Sequence, residues 1–124
     1  MGLLKRSRAT QNHGQKSETN TAKRLGAKQV AGSGAMEGNK GDLHLGGQLI
    51  ECKSTVKTSF SVKLDQLRKI SSEARDIGKT PALHVSFVKE SGEPVKDGTW
   101  VMLREVDYKH LTDLVQEVAQ KGQE

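Results

Sequence analysis

Apolar residues recur along this chain in two rhythms, one helical and one extended. Between Val62 and Ile77 the spacing of Leu67, Ile70, Ala74 and Ile77 is three, four and three, which predicts a helix with one buried stripe. Ser59 or Ser61 is placed to cap its start, and Gly78 to end it. Leu111, Leu114, Val115 and Val118 repeat the pattern and predict a closing helix from Asp107 to about Gln120, with those four on its buried face. Strict alternation marks the stretch after Pro81: over Ala82–Val88 the odd members Leu83, Val85 and Phe87 are all apolar and should face a core. Turns at Glu93-Pro94 and Asp97-Gly98 then lead to a strand at Thr99–Leu103. Upstream, Gly46-Gly47 separates two short alternating runs, Asp42–Leu45 and Gln48–Lys53, as a two-residue hairpin turn would.

The N-terminal third is less patterned. Ser17 to about Leu25 reads as a short helix ended by Gly26, with thin apolar content in Ala22 and Leu25, and Lys28–Ala31 is a candidate first strand. A glycine-dense loop follows, and residues 1–13 form a basic, aperiodic arm ahead of a single domain over 14–124. The order α-β-β-β-α-β-β-α predicts an α/β domain, a mixed sheet flanked by helices.

At 124 residues and 33% hydrophobic, the chain supports one modest core. No apolar run approaches the roughly 20 residues of a membrane span, and MGLLKRSR lacks the apolar block of a signal peptide. With Cys52 as the single cysteine there is no intrachain disulfide, so a soluble protein of a reducing cytoplasm is expected, with no membrane partner. Charge is unevenly spread. Residues 1–63 carry 11 Lys/Arg against 4 Asp/Glu, whereas residues 64–124 carry 9 against 11. A basic half of this kind suits a surface facing phosphates, though a solvated basic surface has the same composition.

The hairpin makes a sharper statement. A two-residue turn at Gly46-Gly47 sets His44 opposite Leu49, Leu43 opposite Ile50 and Asp42 opposite Glu51. Opposed side chains in an antiparallel pair lie about 4.5–5.5 Å apart at Cβ, where like charges repel. Leu43, Ile50 and Cys52 share the other face and supply core, so Cys52 is expected to be structural. Three things could offset the repulsion: a shared proton with a raised pKa, the cation of Lys53 about 6.6 Å further along the strand, or a bridging divalent metal. Mg²⁺ suits the last case, since one or two carboxylates plus waters and phosphate oxygens satisfy it. His13, His44, His84 and His110 have no metal-binding spacing; His44 alone shares a face with Asp42.

Gly41-Asp42-Leu43 followed by Ile50-Glu51-Cys52-Lys53-Ser54 resembles the D…(D/E)-x-K signature of the PD-(D/E)xK nuclease superfamily. A longer context is similar to the archaeal-type Holliday-junction resolvases, which phages also carry. It comprises Gly14-Gln15-Lys16-Ser17-Glu18, Val30-Ala31-Gly32-Ser33-Gly34, the helix from near Val62, Gly78-Lys79-Thr80-Pro81-Ala82-Leu83 and the later Trp100. It runs from about Gly14 to Leu103. The resemblance implies a restriction-endonuclease-like fold and a homodimer that cuts four-way DNA junctions with Mg²⁺, Mn²⁺ serving as a substitute. It implies Asp42 and Glu51 as principal metal ligands, Glu18 as an additional acid from the first helix, and Lys53 as the residue orienting water and stabilising transition-state charge. It further implies that Ser33 touches the scissile-side phosphate and that Gln66 is a polar helix residue near the site.

Such hydrolysis needs activated water and stabilised charge, and no nucleophilic side chain. The glycine loop lacks G-x-x-x-x-G-K-[ST] and precedes a strand, so a flexible substrate loop is expected in place of a nucleotide cradle. With 3% aromatics, recognition should rest on backbone charge and branched shape. Candidate phosphate contacts are Lys5, Arg6, Arg8, Lys16, Lys23, Arg24, Lys40, Lys57 and Lys63. Two rival functions fit the same residues: an endonuclease of this fold without junction preference, and a non-enzymatic basic DNA-binding protein.

Overall fold

The structure, a computed structural model, describes residues 14, 16–29 and 41–123. Helix α1 covers residues 16–25, followed by strands β1 (Lys28–Gln29), β2 (Gly41–Leu45) and β3 (Gln48–Thr55). Helix α2 (Leu64–Asp76), strands β4 (Thr80–Val88) and β5 (Pro94–Leu103) and helix α3 (Glu105–Gln123) complete the expected order. The five strands form one sheet in sequence order, antiparallel except where β3 and β4 run parallel. Continuation of the first strand into residues 30 and 31, the glycine loop and the basic arm lie outside the described residues.

The hairpin adopts the register that its turn dictates: Asp42 pairs with Glu51, Leu43 with Ile50, His44 with Leu49 and Leu45 with Gln48. Gly46 takes φ +57 at the first turn position and Gly47 does not, the pattern of a II′ turn, whose twist matches that of the flanking strands. Alternation then sorts the sheet into two faces. On one, Leu43, Ile50, Cys52 and Ala82 pack with Ala22, and Leu25 and Leu103 lie against them, so α1 covers this face. On the other, Ile70 from α2 packs with Leu83 and Val85, flanked by Phe60, Val62, Leu67 and Phe87. Leu43, Ile50 and Leu83 are at most 2% exposed, and burying each such side chain contributes about 2 kcal/mol. The thin apolar face of α1 docks because Thr21, wholly buried, returns its hydroxyl to the Ser17 carbonyl at 2.7 Å.

Several expectations are corrected. Helix α2 ends as foreseen, Gly78 at φ +68 allowing Lys79 N–H to reach the Ala74 carbonyl (2.8 Å) and Gly78 N–H that of Arg75 (3.0 Å). Its start differs: Lys63 holds the cap position without a side-chain cap, so neither Ser59 nor Ser61 serves, and Asp65 in the first turn complements the helix dipole. Ile77 is 51% exposed because the helix ends at Asp76 and turns it away. Asp97-Gly98 lies within β5 and not before it; the pairing with β4 slips between Ser86 and Val88, and Asp97 takes φ +57 there. A Cβ on Gly98 would meet the Phe87 carbonyl oxygen at 2.7 Å, so this irregularity requires glycine.

The largest correction concerns α3. It has no buried residue, and Leu111, Leu114, Val115 and Val118 are 40–70% exposed. The reason is geometric: α1 and α2 already cover the two sheet faces, and α3 starts at the outer edge of the sheet, one residue after β5.

Candidate functional site

The site grows from the β2–β3 hairpin. Because one face of that hairpin is committed to the core beneath α1, strand alternation sends Asp42 from β2 and Glu51 and Lys53 from β3 to the other face together. Glu51 is buried at 4% exposure and Asp42 is half-buried. Lys53 stands 3.8 Å from Glu51 through Nζ and Oε1, with both side chains largely withdrawn from water. Carboxylates this close in a place of low water content favour a cation between or beside them, and Lys53 supplies one.

Glu18 approaches from α1. It is 9% exposed, and Gln29 donates to its Oε1 at 3.4 Å. Burial pushes its carboxyl above the ordinary range, the Gln29 hydrogen bond opposes that, and the charge of Asp42 adds to it. Cys52 registers the same acids. Its thiol is pushed up to about 12, first by burial and then by Glu18, Asp42 and Glu51, with Arg24 opposing. Three carboxylates therefore act on one small region, two from one sheet face and one from the helix over the other. Among the described residues, however, no three His, Cys, Asp or Glu side chains form a set that could hold a metal ion. The opposed pair Asp42 and Glu51 is what the geometry offers, and two carboxylates with open positions for water and phosphate are a donor set that Mg²⁺ accepts.

The candidate phosphate contacts divide. Lys57 and Lys63 are exposed between β3 and α2, and Gln66 is half-buried in the first turn of α2, the helix that covers the Asp42–Glu51–Lys53 face. Lys16 and Lys23 are exposed on α1. Arg24 belongs to the α1 face: it donates to Thr21 Oγ1 at 2.9 Å, and its charge, after burial, helps lower the pKa of His84. Lys5, Arg6, Arg8, Ser33, Lys40 and His13 lie outside the described residues.

Three neighbours were not foreseen. Gln29 holds Glu18 and also reaches Thr19 Oγ1 at 3.3 Å, a role its isolated position in a polar stretch did not signal. Lys79 Nζ contacts His44 Nδ1 beside the hairpin; the parallel pairing of β3 with β4 brings these residues together across 35 positions of sequence. His84 is 3% exposed on β4, level with Cys52 in the register and within 3.3 Å of the Ser86 hydroxyl. Alternation with Leu83 and Val85 was the available signal for a buried second face. No helix among the described residues is long and apolar enough to cross a membrane. No protein-family model, curated protein or solved structure matches the chain.

Proposed function

We propose that the chain is a Mg²⁺-dependent endodeoxyribonuclease of restriction-endonuclease-like fold that cuts four-way DNA junctions. The observation that carries this reading is the register opposing Asp42 to Glu51, with Lys53 3.8 Å from Glu51 on a hairpin whose other face is core. Two acids held together on a rigid hairpin favour cations beside them: Lys53 is one, and a divalent metal that also binds the anionic scissile phosphate would be another. Support for the junction comes from the motif order that resembles the archaeal-type resolvases.

In this reading Asp42 and Glu51 hold the metal. Mg²⁺, when bound, supplies a more acidic water and a polarised phosphoryl oxygen. Lys53 places a fixed positive charge where negative charge gathers on the phosphorus oxygens, and its ion pair with Glu51 orients it. The packed face beneath, Leu43, Ile50 and Cys52, keeps the three side chains from drifting. Water oxygen adds to phosphorus, the bond to the 3′ oxygen breaks, and that oxygen leaves as a hydroxyl after taking up a proton. Glu18 and Gln29 border this arrangement as a hydrogen-bonded pair.

The test is cleavage of a labelled four-way junction and of linear duplex with the same arm sequences, with Mg²⁺ or EDTA, by the native chain and Asp42→Asn. Symmetric, Mg²⁺-dependent cutting of the junction alone, lost in the variant, is the expected result. Equal cutting of both substrates would reduce the reading to a nuclease without junction preference. Binding with no cutting would make it a DNA-binding module.

A further inference from the structure

Positive charge flanks the acid pair on both sides along the hairpin. Away from the turn stands Lys53, two residues beyond Glu51 on β3. Toward the turn, the next row across the sheet has His44 opposite Leu49, and β1 sets Lys28 opposite His44 on its other side. Paired residues of antiparallel strands share a face, so Lys28 and His44 lie on the face of Asp42, Glu51 and Lys53. A third basic group arrives from another direction. Lys79, between α2 and β4, contacts His44 Nδ1 through its Nζ.

Lys79 is tied on both sides. Its N–H donates to the Ala74 carbonyl at 2.8 Å where α2 stops. The next residue, Thr80, holds the Gly47 carbonyl in the hairpin turn through its N–H at 2.9 Å and its hydroxyl at 3.3 Å. Lys79 and His44 are both half-buried, and Lys28 is exposed beside them. An ammonium can only donate, so Nδ1 accepts and the ring proton of His44 is on Nε2. The cluster therefore presents donors alone: Nε2–H of His44, two remaining N–H groups of Lys79 and the ammonium of Lys28. Among the described residues, no carboxylate forms an ion pair with Lys28 or Lys79. Clustered donors carrying net positive charge suit an oxyanion, and a phosphodiester offers acceptors only.

The geometry points to Lys28, His44 and Lys79 as a second anion subsite, which takes the phosphodiester next to the scissile one in the cut strand. His44 is two residues from Asp42, about 6.6 Å along β2, a separation comparable to one phosphate-to-phosphate step of a nucleic-acid strand. Contacts to the backbone of this kind fix register and orientation without reading sequence. The place of the subsite beside the cut bond rests on the nuclease reading, whereas its affinity for a phosphodiester does not.

The test reads binding and needs no cutting. Ring-proton signals of His44, assigned by their loss in His44→Gln, are followed by NMR in EDTA at fixed pH and ionic strength. The probes are a short DNA duplex, the same duplex with uncharged methylphosphonate linkages, and inorganic phosphate. A saturable displacement with the phosphodiester duplex and none with the methylphosphonate duplex is the expected result. Lys79→Met and, separately, the exposed Lys28→Met should each weaken the effect of the duplex about tenfold or more, as loss of one charged hydrogen bond does, with circular dichroism unchanged. An unmoved His44, or equal movement with both duplexes, would overturn the subsite. Movement with inorganic phosphate and none with the duplex would make it a site for free phosphate, and overturn its assignment to the substrate backbone. Native affinity in both lysine variants would reduce the cluster to a clamp on the hairpin. A chain that fails to cut DNA while His44 still responds to the duplex would sink the nuclease chemistry and uphold the subsite.

Discussion

The Cys52 thiol is a built-in reporter of the carboxylates around it. Burial comes first among the causes of its raised pKa of about 12, followed by the charges of Glu18, Asp42 and Glu51. At pH 8 an ordinary thiol is about one-tenth ionised, whereas one at about 12 is ionised roughly one part in ten thousand. Thiolate is the reactive form, so labelling by a disulfide reagent at pH 8 should be about a thousandfold slower in the folded protein than in guanidinium. Opening of the chain adds no faster route, since a stability of about 5 kcal/mol exposes the thiol roughly two parts in ten thousand of the time. The native rate should keep rising tenfold per pH unit through pH 10, with no plateau near 9. Glu18→Gln removes the carboxylate whose charge acts most strongly of the three on the thiol, and should raise the native rate at pH 8 without changing the rate in guanidinium. Native labelling within tenfold of the unfolded rate would refute this placement of Cys52. An unchanged rate in Glu18→Gln would refute the convergence of the helix acid on the hairpin. The same shift has a stability consequence. The folded pKa lies above the unfolded value, so the contribution is complete below about pH 9 and is lost as pH rises toward 12, roughly 4 kcal/mol in all.

Leu43→Ala removes a wholly buried side chain between Ile50, Cys52 and α1, and should lower the unfolding free energy measured in urea by about 2–5 kcal/mol. His84 has its pKa lowered by burial and then by Arg24, so the folded state favours the neutral ring. Its stabilising contribution is present above the ordinary value of 6.5 and is lost as pH falls through the folded pKa, so the urea midpoint should decline on acidification, and His84→Gln should flatten that decline. Mg²⁺ at about a hundred times its dissociation constant should stabilise the native chain by about 2.7 kcal/mol, read as a raised melting temperature, and should leave Asp42→Asn unmoved.

Local chemistry determined a good deal of this protein. The turn at Gly46-Gly47 carries its register in two residues, because a two-residue hairpin admits one pairing. Asp42 was therefore set against Glu51, with Lys53 on the same face, before any tertiary contact was known. Helix α2 and its stop at Gly78, and the commitment of Leu43, Ile50 and Cys52 to core, were legible for the same reason: helical and strand periods are properties of neighbouring residues.

Contacts between distant segments were not legible. The parallel pairing of β3 with β4 decided that Lys79 meets His44 and that His84 lies beside Cys52, and no local rule reports which strands become neighbours across a helical crossover. Whether the apolar stripe of α3 is buried depended on where the chain leaves the sheet. A 3-4-3 stripe states that a helix has a face to cover and says nothing of what covers it. Here α1 and α2 occupy the two faces first, and α3, starting from the outermost strand, carries its stripe into solvent. Periodicity is written in the chain; occupancy of the sheet faces is a competition among helices, and only the folded arrangement records which of them won.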